Sequence, residues 1–285
     1  MIGRPARRSV LAAAGAALLA ACSSPAPKPA KDTAKPVRHR YGTGKQQFGD
    51  LYLPEGGATR GTVVLIHGGF WQSMYALDLG AALGADLAER GWAAWNIEYR
   101  RLGDGGGWPG TFADVAAAVD HVAELDGVDP SQVITLGHSA GGHLAAWAAS
   151  RQQRDGADLP GGAPQVKVAA TVPQAGVLDL LTGSDTGLGG SAVLELMGGE
   201  PSRIPGRYRL GDPIERLPLR VPIRCVHGSD DSTVPISQSR SYVDAAVKAG
   251  DDARLVEVPG DHFALIDPST PAWAKTVEVL AALST

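Results

Sequence analysis

At 285 residues the chain is long enough to bury a full core and falls within the range of one large α/β domain. Its net charge of −4, with 20% charged residues and no basic stripe, argues against a nucleic-acid partner. The 37 glycines and 20 prolines suit a loop-rich enzyme better than a helical bundle.

Residues 1–21 read as an export signal and not as fold. Arg4, Arg7 and Arg8 form a positive start, and the apolar run Val10 to Ala21 is too short to span a membrane as a mature helix. Leu19-Ala20-Ala21-Cys22 resembles a bacterial lipoprotein processing site, which implies cleavage before Cys22 and a lipid on that residue. Arg7-Arg8-Ser9-Val10-Leu11 also resembles a twin-arginine signal, so both export routes stay open. Residues 22–36, rich in Pro, Ser and Lys, predict a flexible tether to a catalytic domain at 37–285. The expected location is the bacterial cell envelope, with the protein held by its lipid. A lipidated Cys22 would leave Cys225 without a disulfide partner, and the apolar run around Cys225 predicts a core thiol.

From Val37 to Leu53 two short strands are predicted, joined by Gly42-Thr43-Gly44. The apolar run Thr62 to Ile66 reads as a buried parallel strand ending in His67-Gly68-Gly69-Phe70-Trp71. Leu77, Ala81, Ala82, Ala85 and Ala88 recur at helical spacing until Gly91. A strand over Trp92 to Tyr99 follows, then a loop from Gly103 to Gly110 carrying Trp108-Pro109. Phe112, Val115, Ala116, Val119, Val122 and Ala123 mark the next helix, and Asp129-Pro130 a turn.

Val133 to Ala149 is the central unit. A β-branched run leads into Gly137-His138-Ser139-Ala140-Gly141 and then an Ala-rich helix, which together read as strand, tight turn and helix with Ser139 at the turn. Further on, the chain predicts a polar loop over Arg151 to Gln165, a strand over Val166 to Val172 and an irregular lid or cap over 176–218. A strand over Val221 to Val226, a helix over Ser237 to Ala249, a strand over Ala253 to Val258 and a helix over Trp273 to Leu283 complete it. Alternating strands and helices imply a mostly parallel sheet of about eight strands, covered on both faces. His67-Gly68-Gly69, Ser139, Asp231 and His262 each fall just after a strand, at the sheet edge where chemistry gathers in such folds.

On these residues the chain resembles the α/β-hydrolase family. The HGGFW and GHSAGG motifs are similar to the branch holding small carboxylesterases, feruloyl-esterase-like proteins and kynurenine formamidases. The resemblance implies a serine nucleophile at Ser139, a base at His262 and an acid at Asp231. Asp230 competes with Asp231, but the family spacing falls on Gly228, Asp231, Val234 and Pro235 and leaves Asp230 as a turn-former. It also implies oxyanion donors at the backbone N–H groups of Gly69, Phe70 and Ala140. Where a strict HGGG esterase has glycine, Phe70 adds bulk beside the acyl pocket. Trp71, Tyr75 and Trp108 are candidates to line a substrate pocket, while His67 and His138 are expected to brace loops. The histidines show no HExxH and no Cys/His cluster, so neither a metal nor a cofactor is expected. The expected substrate is a small or medium carboxylic ester. Amide cleavage of the arylformamidase or S9-peptidase kind, and a non-catalytic binding lipoprotein, are the alternatives.

Overall fold

Eight strands form one sheet in the order β1-β2-β4-β3-β5-β6-β7-β8 in this computed structural model. It describes residue 1 and residues 35–58, 60–153 and 159–284. The predicted export signal, Cys22 and most of the predicted tether lie outside the described residues. The chain divides into Met1–Asp32 and Thr33–Thr285, and every element below belongs to the second unit.

The strands are β1 (Val37–Arg40), β2 (Phe48–Tyr52), β3 (Thr62–Ile66), β4 (Ala93–Ile97), β5 (Val133–His138), β6 (Val168–Gln174), β7 (Ile223–Gly228) and β8 (Ala253–Val258). β2 runs antiparallel to both its neighbours, β1 and β4, and β3 through β8 are mutually parallel. The sheet is apolar on both sides because successive residues face opposite cores. Val64 and Ile66 join one cluster, whereas Val63 and Leu65 join the other. Gly49 on β2 makes room for the Trp95 ring, which a Cβ would meet at 2.6 Å.

Helices α1 (Ala81–Glu89) and α8 (Pro271–Leu283) cover one face through Leu83, Leu87, Trp273 and Leu280. On the other face lie α2 (Gly110–Asp120), α3 (Ala140–Ser150) and α7 (Ser237–Lys248). Phe112, Val115, Leu144, Trp147 and Tyr242 are their buried anchors. The segment predicted as an irregular cap holds three short helices, α4 (Leu180–Asp185), α5 (Ala192–Met197) and α6 (Pro205–Gly211). Leu180, Val193, Leu196 and Tyr208 tie these to the same core as α3.

Several boundaries differ from expectation by one to three residues, and two of the differences bear on the site. β6 runs Val168–Gln174 and not Val166 to Val172, because Pro173 and Gln174 continue the ladder beside Gly137 and His138 of β5. The helix predicted from Leu77 begins as a 3-10 turn, Leu77–Gly80, before becoming α1.

Candidate active site

β5 and α3 are joined by a single residue, Ser139, whose backbone is strained at φ 56 and ψ −120. Such a conformation costs about 1–3 kcal/mol and persists only where the surroundings enforce it. Here they do so by close approach. A Cβ on Gly137 would fall on the Gly141 carbonyl, and one on Gly141 would fall on the Ile66 carbonyl. The Ser139 N–H donates to the Gln174 carbonyl at 2.8 Å, and the Gly142 N–H to the Ser139 carbonyl at 2.8 Å. The Gln174 side chain extends the hold, donating through Nε2 to the Leu265 carbonyl at 2.9 Å and to Thr276 Oγ1 at 3.0 Å.

Asp231 and His262 follow β7 and β8. His262 Nδ1 donates to Asp231 Oδ2 at 2.7 Å. The other carboxylate oxygen, Oδ1, accepts the N–H groups of Thr233 at 2.8 Å and Val234 at 2.9 Å. Burial alone would raise the Asp231 carboxyl. Hydrogen bonds from His227, His262 and the Val234 N–H, with the attraction of the His262 charge, overcome this and hold it well below the usual carboxylate range. Asp230 is exposed, and its backbone N–H serves the turn by donating to the Gly260 carbonyl at 3.0 Å.

His138 packs beside the base. Its ring lies 4.4 Å from that of His262, and its Nε2–H donates to the His262 carbonyl at 2.8 Å. Burial, then the neighbouring His262, push its pKa down to about 3, so it is a neutral brace at physiological pH. Among the described residues no hydrogen bond joins the Ser139 hydroxyl to His262. Contacts of this kind often close only around substrate.

The loop after β3 reaches Ser139 through Gly68, where a Cβ would lie 2.7 Å from the His138 carbonyl oxygen and 3.0 Å from Ser139 Cβ. Gly69, Phe70 and Trp71 all have positive φ, at 105, 48 and 57. Among the described hydrogen bonds none takes up the N–H of Gly69, Phe70 or Ala140.

A buried network holds this loop. The Glu98 carboxylate accepts His67 Nε2 at 3.0 Å, the Leu77 N–H at 3.1 Å and the Tyr99 N–H at 2.9 Å, and pairs with Arg101 at 3.3 Å. Tyr99 stacks on the His67 ring at 4.4 Å and donates to the His67 carbonyl at 2.9 Å. Arg101 in turn donates to the Tyr75 carbonyl. Burial opposes ionisation of Glu98, but His67, the Tyr99 N–H and Arg101 outweigh it and lower its pKa. Sequence reasoning missed Glu98 and Arg101. The only signal was a charged pair at the end of an apolar strand.

The three aromatic pocket candidates occupy different settings. Tyr75 is exposed and its ring lies against Gly69. Trp108 is half-buried, edge-on to Phe112 at 5.1 Å and against Gly211. Trp71 has no exposed surface and meets the His143 ring edge-on at 5.3 Å, so its side chain packs in the core. Phe70 lies against Gly189 of the cap segment. Asp179 and Asp261 serve as a helix cap and a turn, accepting the N–H of Thr182 and the N–H groups of Phe263 and Ala264. Cys225 is fully buried, and burial pushes its thiol pKa up.

A family model described as BD-FAE matches residues 49–245. The chain is 30% identical over 244 residues to isoprenylcysteine alpha-carbonyl methylesterase ICME of Arabidopsis thaliana, covering 77% of this chain and 54% of that protein. It is 30% identical to esterase LipC of Mycobacterium tuberculosis (strain ATCC 25618 / H37Rv) over 269 residues, or 85% of this chain and 66% of that one. The chain thus spans between about half and two-thirds of the length of these relatives. Among solved structures, a truncated carbohydrate esterase from gut microbiota superposes with a TM-score of 0.76 at 25% identity, covering 89% of this chain and 98% of that one. Thermogutta terrifontis esterase 2 modified by tabun gives 0.67 at 26% identity, covering 87% and 93%. The eight-stranded, mostly parallel sheet with helices on both faces is the α/β-hydrolase fold.

Proposed function

From a chain that belongs to the BD-FAE family, we infer a serine hydrolase that cleaves carboxylic esters of small to medium substrates. One observation carries this reading. His262 is fixed by Asp231 at 2.7 Å, with its ring against the residue that precedes a strained, strand-terminal serine. The esterase names of the relatives agree with it.

In this mechanism His262 takes the Ser139 proton as Oγ attacks the ester carbonyl. Asp231 keeps Nδ1 protonated and stabilises the imidazolium. The N–H groups of Gly69, Phe70 and Ala140 receive the developing oxyanion, each such donor contributing about 3–4 kcal/mol in measured cases. His262 then protonates the departing alcohol, and water releases the acyl group by the same path.

The test is Ser139→Ala assayed on short-chain p-nitrophenyl esters, beside labelling of the wild type by a fluorophosphonate. The wild type should be labelled and the variant should lose both turnover and labelling; unchanged turnover would reject the reading. The sequence further supports export and lipidation at Cys22. A Cys22→Ala variant should then leave the membrane fraction; wild type found wholly soluble would reject the anchor.

A further inference from the structure

Behind Asp231 stands a second histidine that the mechanism above does not use. His227, near the end of β7, has no exposed surface. Its Nε2 lies 2.9 Å from the Val234 carbonyl and 3.4 Å from Asp231 Oδ2. Its Nδ1 lies 2.8 Å from the hydroxyl of Ser239 on α7.

The chemistry of the partners orders these contacts. A carbonyl only accepts, so Nε2 carries the proton. In the neutral ring Nδ1 is then an acceptor, and the Ser239 hydroxyl donates to it. The Nε2–H that donates to the Val234 carbonyl also lies 3.4 Å from Asp231 Oδ2, close enough for the carboxylate to feel its positive end. Asp231 Oδ1 meanwhile holds the Thr233 and Val234 N–H groups. The acid turn is thus fastened at two points, from within by its own carboxylate and from the sheet by His227.

We propose that His227 is a positioning residue for Asp231, its tautomer fixed by the Val234 carbonyl and its ring held by the Ser239 hydroxyl, so that Oδ2 stays aligned with His262 Nδ1. Were Nδ1 to take the proton instead, a lone pair on Nε2 would face both the Val234 carbonyl and the carboxylate. The turn would be pushed away and the base misaligned. This inference rests on the assignment of Ser139, Asp231 and His262 as the catalytic groups.

The test compares His227→Leu, His227→Gln and Ser239→Ala in the full chain. Each is measured by kcat and KM on a p-nitrophenyl ester, thermal midpoint, and the low-field proton resonance of the Asp231–His262 hydrogen bond. His227→Leu should lower kcat about tenfold with KM within about twofold, the size of one lost hydrogen bond to a charged group. It should also broaden or shift the low-field resonance. His227→Gln, whose amide can place a donor near the Nε2 position, should recover most of kcat and the resonance. Ser239→Ala should fall between them, and it keeps the test decisive if the leucine variant does not fold. A lowered thermal midpoint in His227→Leu with kcat and resonance unchanged would reduce His227 to core packing and overturn the proposal. Full activity in Ser139→Ala would instead overturn the triad assignment beneath it.

Discussion

Asp231→Asn tests the site at its most constrained point, because the structure dictates which way the new amide must face. Oδ1 receives two backbone N–H groups, from Thr233 and Val234. Only an oxygen satisfies that position, so the NH2 of asparagine is forced to the Oδ2 position, 2.7 Å from His262 Nδ1. There it donates, and Nδ1 must accept. The imidazole proton moves to Nε2, which can no longer receive a proton from Ser139. In the serine-protease template this exchange costs about 10⁴ in kcat, or about 5.5 kcal/mol of transition-state stabilisation. The variant should keep its fold, since the amide replaces the carboxylate almost atom for atom. Initial rates on p-nitrophenyl acetate and the rate of fluorophosphonate labelling should fall together, with circular dichroism unchanged. A loss of less than tenfold in a folded variant would show that Asp231 does not set the tautomer of the base.

Glu98→Gln leaves His67 and Arg101 buried without their carboxylate and should destabilise the protein by about 3–5 kcal/mol in urea unfolding. Full stability would mean that the network does not hold the loop. Gly68→Ala places a methyl group 2.7 Å from the His138 carbonyl oxygen and should lower kcat/KM by more than tenfold with little change in overall fold by circular dichroism. The buried Asp212, between α6 and the following 3-10 turn, has its pKa raised by burial to about 8. A folded-state pKa raised above the unfolded one means that folding takes up a proton. Stability should therefore fall as pH rises from about 4 to about 8, by at most about 1.4 kcal/mol per pH unit. Asp212→Asn should flatten that part of the curve, and an unchanged slope would assign the effect elsewhere.

The unit around Ser139 was legible because several physical demands coincide there. A strand buried on both faces must be β-branched and apolar, and an elbow must carry glycines where backbones touch. Val133 to Gly141 satisfies both at once. The position of the cap was legible but its helices were not, because α4, α5 and α6 are six or seven residues long, about two turns, and too short for periodicity to show. Gln174 ended no apolar pattern and so read as loop, although its amide is buried and paired. Glu98, Arg101 and His227 were invisible for one shared reason. Each acts on partners distant in sequence or across a turn, and a charged residue after a strand reads alike whether it meets water or a buried histidine.

Gln174 gives the molecule a property that neither of its neighbours has alone. Its main chain grips the nucleophile, and its side chain grips Leu265, three residues past the base, together with Thr276 on α8. Two chain segments more than a hundred residues apart are thereby measured against one ruler in the sheet. The gap that a proton must cross is gauged by the rigid interior, and substitutions at Thr276, on the inner side of the closing helix, become a remote means of adjusting it.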